Sequence, residues 1–230
     1  MFYRFWRTVI VGLAYALFGI QVRGRERLPS AGAYILAPSH RSLLDIPFAA
    51  AVTRRRLRYM AKQEIFNGRF WTWVFTELGA VAVDRAGTDR AALKAIEAAL
   101  HGGEPVVIFP EGTRHEGPVL GPIASGTAYA ALKAGVPVVP VGIGGSEHPV
   151  ILYGFLPWWS RVTVVVGEPI AVAPHEGTVK RSAITALDAE LRARLQVCFD
   201  DAEAWADARA RRRGWRADRS GRAGEPGERG

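Results

Sequence analysis

The chain has 230 residues, of which 49% are hydrophobic and 23% are charged. This composition excludes a wholly disordered protein, and the length suits one α/β domain or two small ones. The formal net charge of +8 is uneven: residues 1–62 carry +9, residues 63–206 carry −5 and residues 207–230 carry +4. Positive charge at both ends makes an anionic membrane surface or a nucleic acid a candidate partner. The single cysteine, Cys198, excludes an intramolecular disulfide.

The first segment, residues 1–21, predicts a helix that associates with a membrane. Arg4 and Arg7 stand among four aromatic residues, and an uninterrupted apolar run of twelve residues follows from residue 9 to residue 20. A spanning helix needs about 20 apolar residues, so the pattern is more typical of a helix lying in the membrane interface. A signal peptide is disfavoured because no small-residue cleavage pattern follows. An ordinary buried first helix remains the alternative.

Residues 22–206 are predicted to form an α/β domain, because short β-branched runs alternate with helical patterns. Strands are predicted at residues 34–37, 57–61, 80–83, 106–109, 136–143 and 162–166, and helices at 43–52, 65–77, 90–101, 127–134 and 180–208. Continuous runs of Val and Ile are typical of strands covered on both faces, so we expect a mostly parallel central sheet flanked by helices. Functional groups in such sheets lie beyond the carboxyl ends of the strands.

The segment SHRSLLD follows the first of these strands and places His40 five residues before Asp45. These positions lie about 140° apart on a continuous helix, so a contact between them requires a break in the helix. Pro38 and a capping Ser42 can provide that break. A carboxylate on one ring nitrogen leaves the other nitrogen to take a proton from a hydroxyl. The alternative is a capping box, in which Ser42 and Asp45 only start a helix.

A second motif, FPEGTR, follows the strand predicted at residues 106–109 and has the composition of a phosphate site. Gly112 permits a tight turn, Thr113 offers a hydroxyl donor and Arg114 offers a planar guanidinium. Glu111 does not suit a bare phosphate site, but it could orient Arg114 or accept a hydrogen bond from a substrate hydroxyl. Arg85, directly after another predicted strand, is either a second cation for the same phosphate or a surface charge.

Four motifs in this order resemble those of the 1-acyl-glycerol-3-phosphate acyltransferase family of glycerolipid acyltransferases. They are SHRSLLD, the strand ending at Arg85, FPEGTR and VPVVPVGI at residues 136–143, and with their flanks they cover roughly residues 22–170. The resemblance implies the glycerolphosphate acyltransferase fold. It also implies transfer of a fatty acyl chain from acyl-CoA or acyl carrier protein to the hydroxyl of a lysophosphatidic acid-like acceptor, which gives phosphatidic acid in phospholipid biosynthesis.

The resemblance also assigns roles to the motif residues. It implies that His40, oriented by Asp45, is the catalytic base, and that Arg85 and the turn of Glu111, Gly112, Thr113 and Arg114 bind the acceptor phosphate. No metal and no bound cofactor are expected, because the thioester co-substrate already carries an activated acyl group. The expected partners are a membrane lipid surface and the two substrates, not nucleic acid. We therefore expect a peripheral or monotopic protein on the cytoplasmic face of the cell membrane.

One departure from the family pattern leaves the identity of the acceptor open. Relatives usually carry a basic residue before the helix that follows FPEGTR, where this chain has Ala124 and Ser125. Acyl transfer to glycerol 3-phosphate, another lysophospholipid or a glycolipid is therefore an alternative, and a non-catalytic module that binds anionic lipid is an alternative of another class. A serine hydrolase is disfavoured because GGSEH, at residues 144–148, lacks the closing glycine of a nucleophile elbow.

Two further expectations concern an apolar groove and the end of the chain. Acyl length would depend on a groove whose walls could include Phe66, Trp71, Trp73 and Phe75, although these residues also fit a buried or membrane-facing helix. Residues 207–230 are rich in Arg and Gly and predict a disordered tail. Solvation of the chain and binding of anionic lipid or nucleic acid both remain open as its role.

Overall fold

The computed structural model describes residues 2–62, 67–77, 79–83, 90–147, 161–173 and 177–212. Helices and strands alternate along these residues. The helices are α1 (Phe2–Phe18), α2 (Asp45–Ala50), α3 (Arg69–Glu77), α4 (Arg90–His101), α5 (Gly126–Ala134) and α6 (Arg181–Arg211). The strands are β1 (Gln21–Arg23), β2 (Ile35–Pro38), β3 (Arg58–Lys62), β4 (Ala80–Val83), β5 (Val106–Val107), β6 (Val138–Gly144) and β7 (Thr163–Val166).

The strands form one sheet in the order β1-β7-β6-β2-β5-β3-β4. Neighbouring strands are parallel except β6 and β7, which are antiparallel. The prediction of a mostly parallel sheet is therefore confirmed. Because β2 and β5 are neighbours that run in the same direction, their carboxyl ends lie at the same edge of the sheet. The two sequence motifs, which follow these strands, are brought together at that edge.

Alternate residues of the central strands face two different layers of helices. In β2, Leu36 packs in a core with α1 and α2, whereas Ile35 and Ala37 pack in a second core with α4, α5 and α6. All residues of β6 are buried. Both faces of the sheet are therefore covered, as the continuous apolar runs predicted. Burying an aliphatic side chain of this size contributes roughly 1.5–3 kcal/mol, so apolar burial is the main force that holds the helices to the sheet.

Two glycines of β6 allow α6 to contact the sheet backbone directly. A Cβ atom built on Gly142 would lie 2.0 Å from the carbonyl oxygen of Cys198, and one built on Gly144 would lie 2.3 Å from the carbonyl carbon of Ala202. Any larger residue at these positions would collide with the helix backbone. Glycine in a strand interior is typical of such close approaches. The position of α6 across the sheet therefore depends on these two residues.

Helix α1 buries one face and exposes the other. Val11, Ala14 and Phe18, spaced by three and four residues, are buried against the sheet and α2. The opposite face carries exposed apolar side chains at Phe5, Trp6, Val9, Ile10 and Leu13. The alternative of a buried first helix is therefore correct for one face only. In the described part of the chain, no helix combines the length and the apolar character needed to cross a bilayer.

Several predicted boundaries require correction. The sequence missed β1, because an edge strand of three residues leaves no apolar run. Strand β5 ends at Val107, before the predicted residue 109, and α2 is shorter than the predicted 43–52.

The predicted start of the disordered tail, residue 207, is wrong, because α6 continues to Arg211. Arg209 holds that end of the helix by donating to the carbonyl oxygens of Gly19 (2.8 Å) and Val162 (3.1 Å). Residues 213–230 lie outside the described residues.

Candidate active site

The loops that follow β2 and β5 meet at the carboxyl edge of the sheet. The backbone N–H of His115 donates to the carbonyl oxygen of His40 (3.1 Å), which joins the two loops directly. On the other side of β2, the fully buried Ser39 accepts a hydrogen bond from the backbone N–H of Ile143 in β6 (3.0 Å). The histidine loop is therefore fixed between β5 and β6.

His40 and Asp45 are in contact, although five residues separate them. Nδ1 of His40 lies 3.3 Å from Oδ2 of Asp45. The contact is possible because α2 begins only at Asp45, so the intervening residues form a loop. The break in the helix was predicted, but the helix starts two residues later than predicted, and Leu44 rather than Ser42 is its N-cap. Asp45 is fully buried, whereas 16% of the His40 side chain is exposed. Since Nδ1 faces the carboxylate, Nε2 is the ring nitrogen that points away from Asp45.

The Asp45 carboxylate also fixes the backbone of the histidine loop. Oδ2 accepts hydrogen bonds from the N–H groups of Arg41 (2.6 Å) and Ser42 (2.7 Å). The bond from Ser42 is half of the capping box considered above; the Ser42 hydroxyl instead accepts a bond from Leu44 N–H (3.2 Å). Asp45 therefore both orients the His40 ring and caps the chain before α2, because a single oxygen, Oδ2, bonds the imidazole and the loop backbone.

Glu111 does not lie where a phosphate contact would require it. Its side chain is fully buried, Oε1 accepts the backbone N–H of His40 (2.9 Å), and Oε2 accepts Arg41 Nη1 (3.0 Å) and the backbone N–H of Gly121 (2.8 Å). We therefore correct its predicted role: Glu111 neither orients Arg114 nor faces a substrate. It connects the histidine loop to the loop that follows β5.

Arg41 is the residue of this site that sequence reasoning missed. Its guanidinium is fully buried, pairs with Glu111, donates to the carbonyl oxygen of Val119 (3.2 Å) and lies 4.5 Å from the ring centroid of Phe199 in α6. An arginine next to the motif histidine and a glutamate in the second motif were the available signal, since a buried charge requires a partner of opposite charge.

Gly112, Thr113 and Arg114 of FPEGTR form an exposed turn. Gly112 adopts a positive φ of 68°, a conformation that favours glycine, and its N–H donates to the carbonyl oxygen of Phe109 (3.0 Å). Thr113 and Arg114 are exposed to solvent. Because the next residue, His115, is bonded to His40, Arg114 is anchored close to the histidine loop. Arg85, the second predicted cation, lies outside the described residues.

An apolar cavity of about 300 Å³ lies beside the histidine. It is enclosed mainly by α1, α2 and the strands β3 to β5, and its wall includes Ile10, Ala50, Phe75 and Phe109. The ring of Phe109 also contacts the His40 ring, with 4.2 Å between the centroids. Burial raises the pKa of the Tyr59 phenol in this wall, so the hydroxyl stays neutral. The cavity is at the lower end of the size range of ligand pockets, about 300–1,000 Å³.

The predicted groove residues occupy different places. Phe75 lines the cavity, whereas Trp73 is exposed and its ring lies 4.5 Å from that of Phe2 in α1. Phe66 and the side chain of Trp71 lie outside the described part. Among the residues that the structure describes, no three His, Cys, Asp or Glu side chains are grouped as ligands for a metal ion.

Comparison with known proteins shows the family to which the chain belongs. The family model described as Acyltransferase matches residues 19–144, which is more than half of the chain and includes both motifs. The chain belongs to the acyltransferase family. The resemblance that the four motifs carry is therefore confirmed.

This acyltransferase is similar to two bacterial proteins named 1-acyl-sn-glycerol-3-phosphate acyltransferase. It is 30% identical to the protein of Streptococcus pneumoniae over 75% of this chain and 64% of that protein, just under two thirds of its length. It is 25% identical to the protein of Bacillus subtilis over 84% of this chain and 95% of that protein. The crystal structure of the 1-acyl-sn-glycerophosphate acyltransferase of Thermotoga maritima matches with a TM-score of 0.65 and 25% identity, over 84% of this chain and 78% of that one.

Proposed function

We propose that this acyltransferase moves a fatty acyl chain from acyl-CoA or acyl carrier protein to the hydroxyl of a lysophosphatidic acid-like acceptor, which yields phosphatidic acid. The observation that carries the proposal is the contact between His40 and Asp45 at the side of an apolar cavity. A base that takes a proton from a hydroxyl and an apolar site for a hydrocarbon chain are the two features that acyl transfer between lipids requires. The named relatives support the same reaction.

The reaction follows from the orientation of the imidazole. Nε2 of His40 accepts the proton of the acceptor hydroxyl as its oxygen attacks the thioester carbonyl carbon. The tetrahedral intermediate then collapses, the carbon–sulfur bond breaks, and the leaving thiolate takes the proton from His40. Asp45 holds Nδ1–H and stabilises the transient imidazolium, which makes it a positioning residue. General-base catalysis of this kind contributes roughly 10²- to 10⁴-fold in rate.

The acyl chain is assigned to the cavity and the acceptor phosphate to the exposed turn. The cavity wall is almost entirely apolar and begins at Phe109, which contacts the His40 ring, so a chain placed there has its carbonyl end near the base. Arg114 offers a planar guanidinium on a turn bonded to the histidine loop. Arg85 remains a prediction for the same role. We leave Glu111 out of this role because its buried carboxylate bonds His40, Arg41 and Gly121 instead.

Membrane association is assigned to the exposed face of α1. Phe5, Trp6 and Leu13 lie in water-exposed positions, and Ile10 of the same helix also lines the cavity. A helix with an apolar face and interfacial aromatic residues suits a position in the bilayer surface. Lipid substrates would then reach the cavity beside α1 without crossing water. We place the protein peripherally on the cytoplasmic face, where soluble acyl thioesters are made.

A related acceptor is the second candidate. Ser125, which precedes α5 where relatives usually have a basic residue, donates its hydroxyl to the Asp188 carboxylate (2.7 Å). A carboxylate at this position disfavours a strongly anionic acceptor, because like charges repel. Acyl transfer to a less anionic lysophospholipid or to a glycolipid follows the same chemistry; glycerol 3-phosphate does too, but it carries the same phosphate monoester as lysophosphatidic acid and gains no support from this contact.

The test is release of CoA thiol from a long-chain acyl-CoA by the purified protein in detergent, with and without each acceptor. We expect lysophosphatidic acid to stimulate release, and we expect Arg114→Ala to raise KM for this acceptor much more than KM for acyl-CoA. Stimulation only by another acceptor keeps the mechanism and changes the product. If neither acyl-CoA nor an acyl carrier protein donor supports transfer to any acceptor, the protein is a non-catalytic lipid-binding module.

A further inference from the structure

A second groove, of about 1,360 Å³, lies along the edge strand β1 and the last turns of α6. Among the described residues that line it, none belongs to the apolar cavity or to the two active-site loops. In the part of the chain that the structure describes, two carboxylates, Glu26 and Asp201, line it, together with six arginines: Arg23, Arg25, Arg27, Arg161, Arg209 and Arg212. The lining residues therefore carry a net charge of +4, in a fold whose middle section is acidic.

The groove brings together both basic ends of the sequence. Three of its arginines belong to residues 1–62 and two belong to residues 207–230, the two segments of excess positive charge. Pairing of β1 with β7 and the bonds from Arg209 to the carbonyl oxygens of Gly19 and Val162 hold these segments side by side. Charge that is separated by about 180 residues along the chain is thus concentrated in one concave surface.

Contacts with uncharged groups orient Arg23 and Arg25 without cancelling their charge, whereas the charge of Arg27 is partly offset by a carboxylate. Arg25 donates to the carbonyl oxygen of Ala51 (2.8 Å) and also bonds the Tyr15 hydroxyl. Arg23 lies 3.6 Å from the ring centroid of Trp205. Arg27 donates to the carbonyl oxygen of Val166 (2.7 Å) and pairs with Glu168 (2.8 Å) in an exposed ion pair. A concave surface lined by oriented cations concentrates positive potential and attracts anions.

We propose that this groove binds the headgroups of an anionic phospholipid bilayer. Charge complementarity identifies the ligand as anionic, and the neighbouring helix favours a bilayer. α1, with its exposed apolar face, ends three residues before β1, and Arg25 at the groove contacts Tyr15 of that helix. Apolar and basic groups side by side are the combination that anionic bilayer surfaces bind. The inference goes beyond acyl transfer and takes from the proposed function only the membrane contact of α1.

The test measures cosedimentation of the protein with vesicles of phosphatidylcholine alone or of phosphatidylcholine with phosphatidylglycerol. We expect the triple variant Arg23→Gln, Arg161→Gln and Arg212→Gln to lose at least tenfold in affinity for the anionic vesicles at low salt. Binding to phosphatidylcholine vesicles, which relies on the apolar face of α1, should not change. The charge-matched control is Lys94→Gln, Lys180→Gln and Arg181→Gln, three exposed cations outside the groove.

Each other outcome overturns the proposal. Equal losses in both triple variants would mean that only the net charge of the protein matters, and unchanged binding would mean that the groove does not contact lipid. A loss of affinity for an oligonucleotide, with vesicle binding intact, would assign the groove to nucleic acid. Acyl transfer by the groove variant to acceptors dispersed in detergent shows whether that variant is folded. Because this assay does not require vesicle binding, its result tests the proposed function separately from the proposed lipid contact.

Discussion

The carboxylate of Glu111 and the guanidinium of Arg41 lie 3.0 Å apart and both side chains are fully buried. The pair joins the loop that carries His40 to the loop that follows β5, and Glu111 also holds the backbone N–H of His40. The position of the proposed base therefore depends on a charge pair whose side chains have no solvent-exposed surface. Because a buried charge is stable only with its partner, this pair is also a sensitive point of the fold.

Arg41→Met should lower the free energy of unfolding by about 3–5 kcal/mol, since it leaves Glu111 charged and unpaired. Adding Glu111→Gln should recover part of that loss, because it removes the unpaired buried charge, although the single amide oxygen can accept only one of the two N–H groups, of His40 and Gly121, that the carboxylate accepts. Urea denaturation of the two single variants and the double variant measures the coupling. Losses that simply add would mean that the two side chains are independent.

His40→Asn should lower kcat by roughly 10²- to 10⁴-fold while the protein stays folded, because it removes the proposed base and leaves the loop contacts of Asp45 in place. The measurement is thiol release together with a thermal unfolding curve. His101→Asn, a change of an exposed histidine on α4, is the matched control. Near-normal turnover of the His40 variant would remove the general-base assignment.

Ala50→Phe should shorten the longest acyl chain that the protein transfers, because Ala50 lies in the wall of the cavity beside His40. Rates with a panel of acyl-CoA donors test this: short donors should retain their rate and long donors should lose it. Ala98→Phe, at an exposed position of α4, controls for the added volume. A uniform change in rate across all chain lengths would mean that the cavity does not hold the acyl chain.

Gly142→Ala should destabilise the protein by about 1–3 kcal/mol or more, because the new Cβ would meet the backbone of α6 at Cys198. Gly126→Ala is the control, since a Cβ there has no neighbour within 4 Å. In chemical denaturation, the free energy of unfolding should be clearly lower for Gly142→Ala than for Gly126→Ala. Similar stabilities would show that α6 can shift away from β6 at little cost.

Cys198 should be unreactive in the native protein. Burial, with a smaller contribution from the charge of Asp201, raises the pKa of the thiol to about 11. At pH 8 only about 0.1% of the thiol is then ionised, and the thiolate is the reactive form. A thiol reagent at pH 8 should label Cys198 only after unfolding. Because the folded-state pKa is the raised one, the free energy of unfolding should also fall as the pH rises from about 9 towards 11.

The sequence predicted those parts of the site that depend on local chemistry. The contact of His40 with Asp45 follows from a helix that starts late, and the turn at Gly112 follows from the need for a positive φ. The pair of Arg41 and Glu111 could not be predicted in the same way, because it exists only where β2 and β5 are neighbours. Strand order is a long-range property, and no pattern within either motif encodes it.

The same distinction holds for the fold. Long apolar runs and amphipathic patterns predicted most helices and strands within a few residues, and α4 and β4 at their observed bounds. β1 was missed because its pairing with β7 rather than its own composition makes it a strand. The end of α6 was misplaced because contacts of Arg209 with distant carbonyl groups, invisible in local composition, hold a basic segment in the helix.

The pairing of β1 with β7 also has a consequence during synthesis on the ribosome. Thr163 of β7 is made 142 residues after Gln21, its partner in β1. At a translation rate of about 5–20 residues per second, roughly 7–28 s pass between the synthesis of β1 and that of β7, and that edge of the sheet cannot form earlier. Throughout this interval the apolar face of α1 that carries Phe5, Trp6 and Leu13, exposed even in the folded protein, is present on the nascent chain. A nascent chain is thus able to meet the bilayer through α1 before the rest of the molecule has folded.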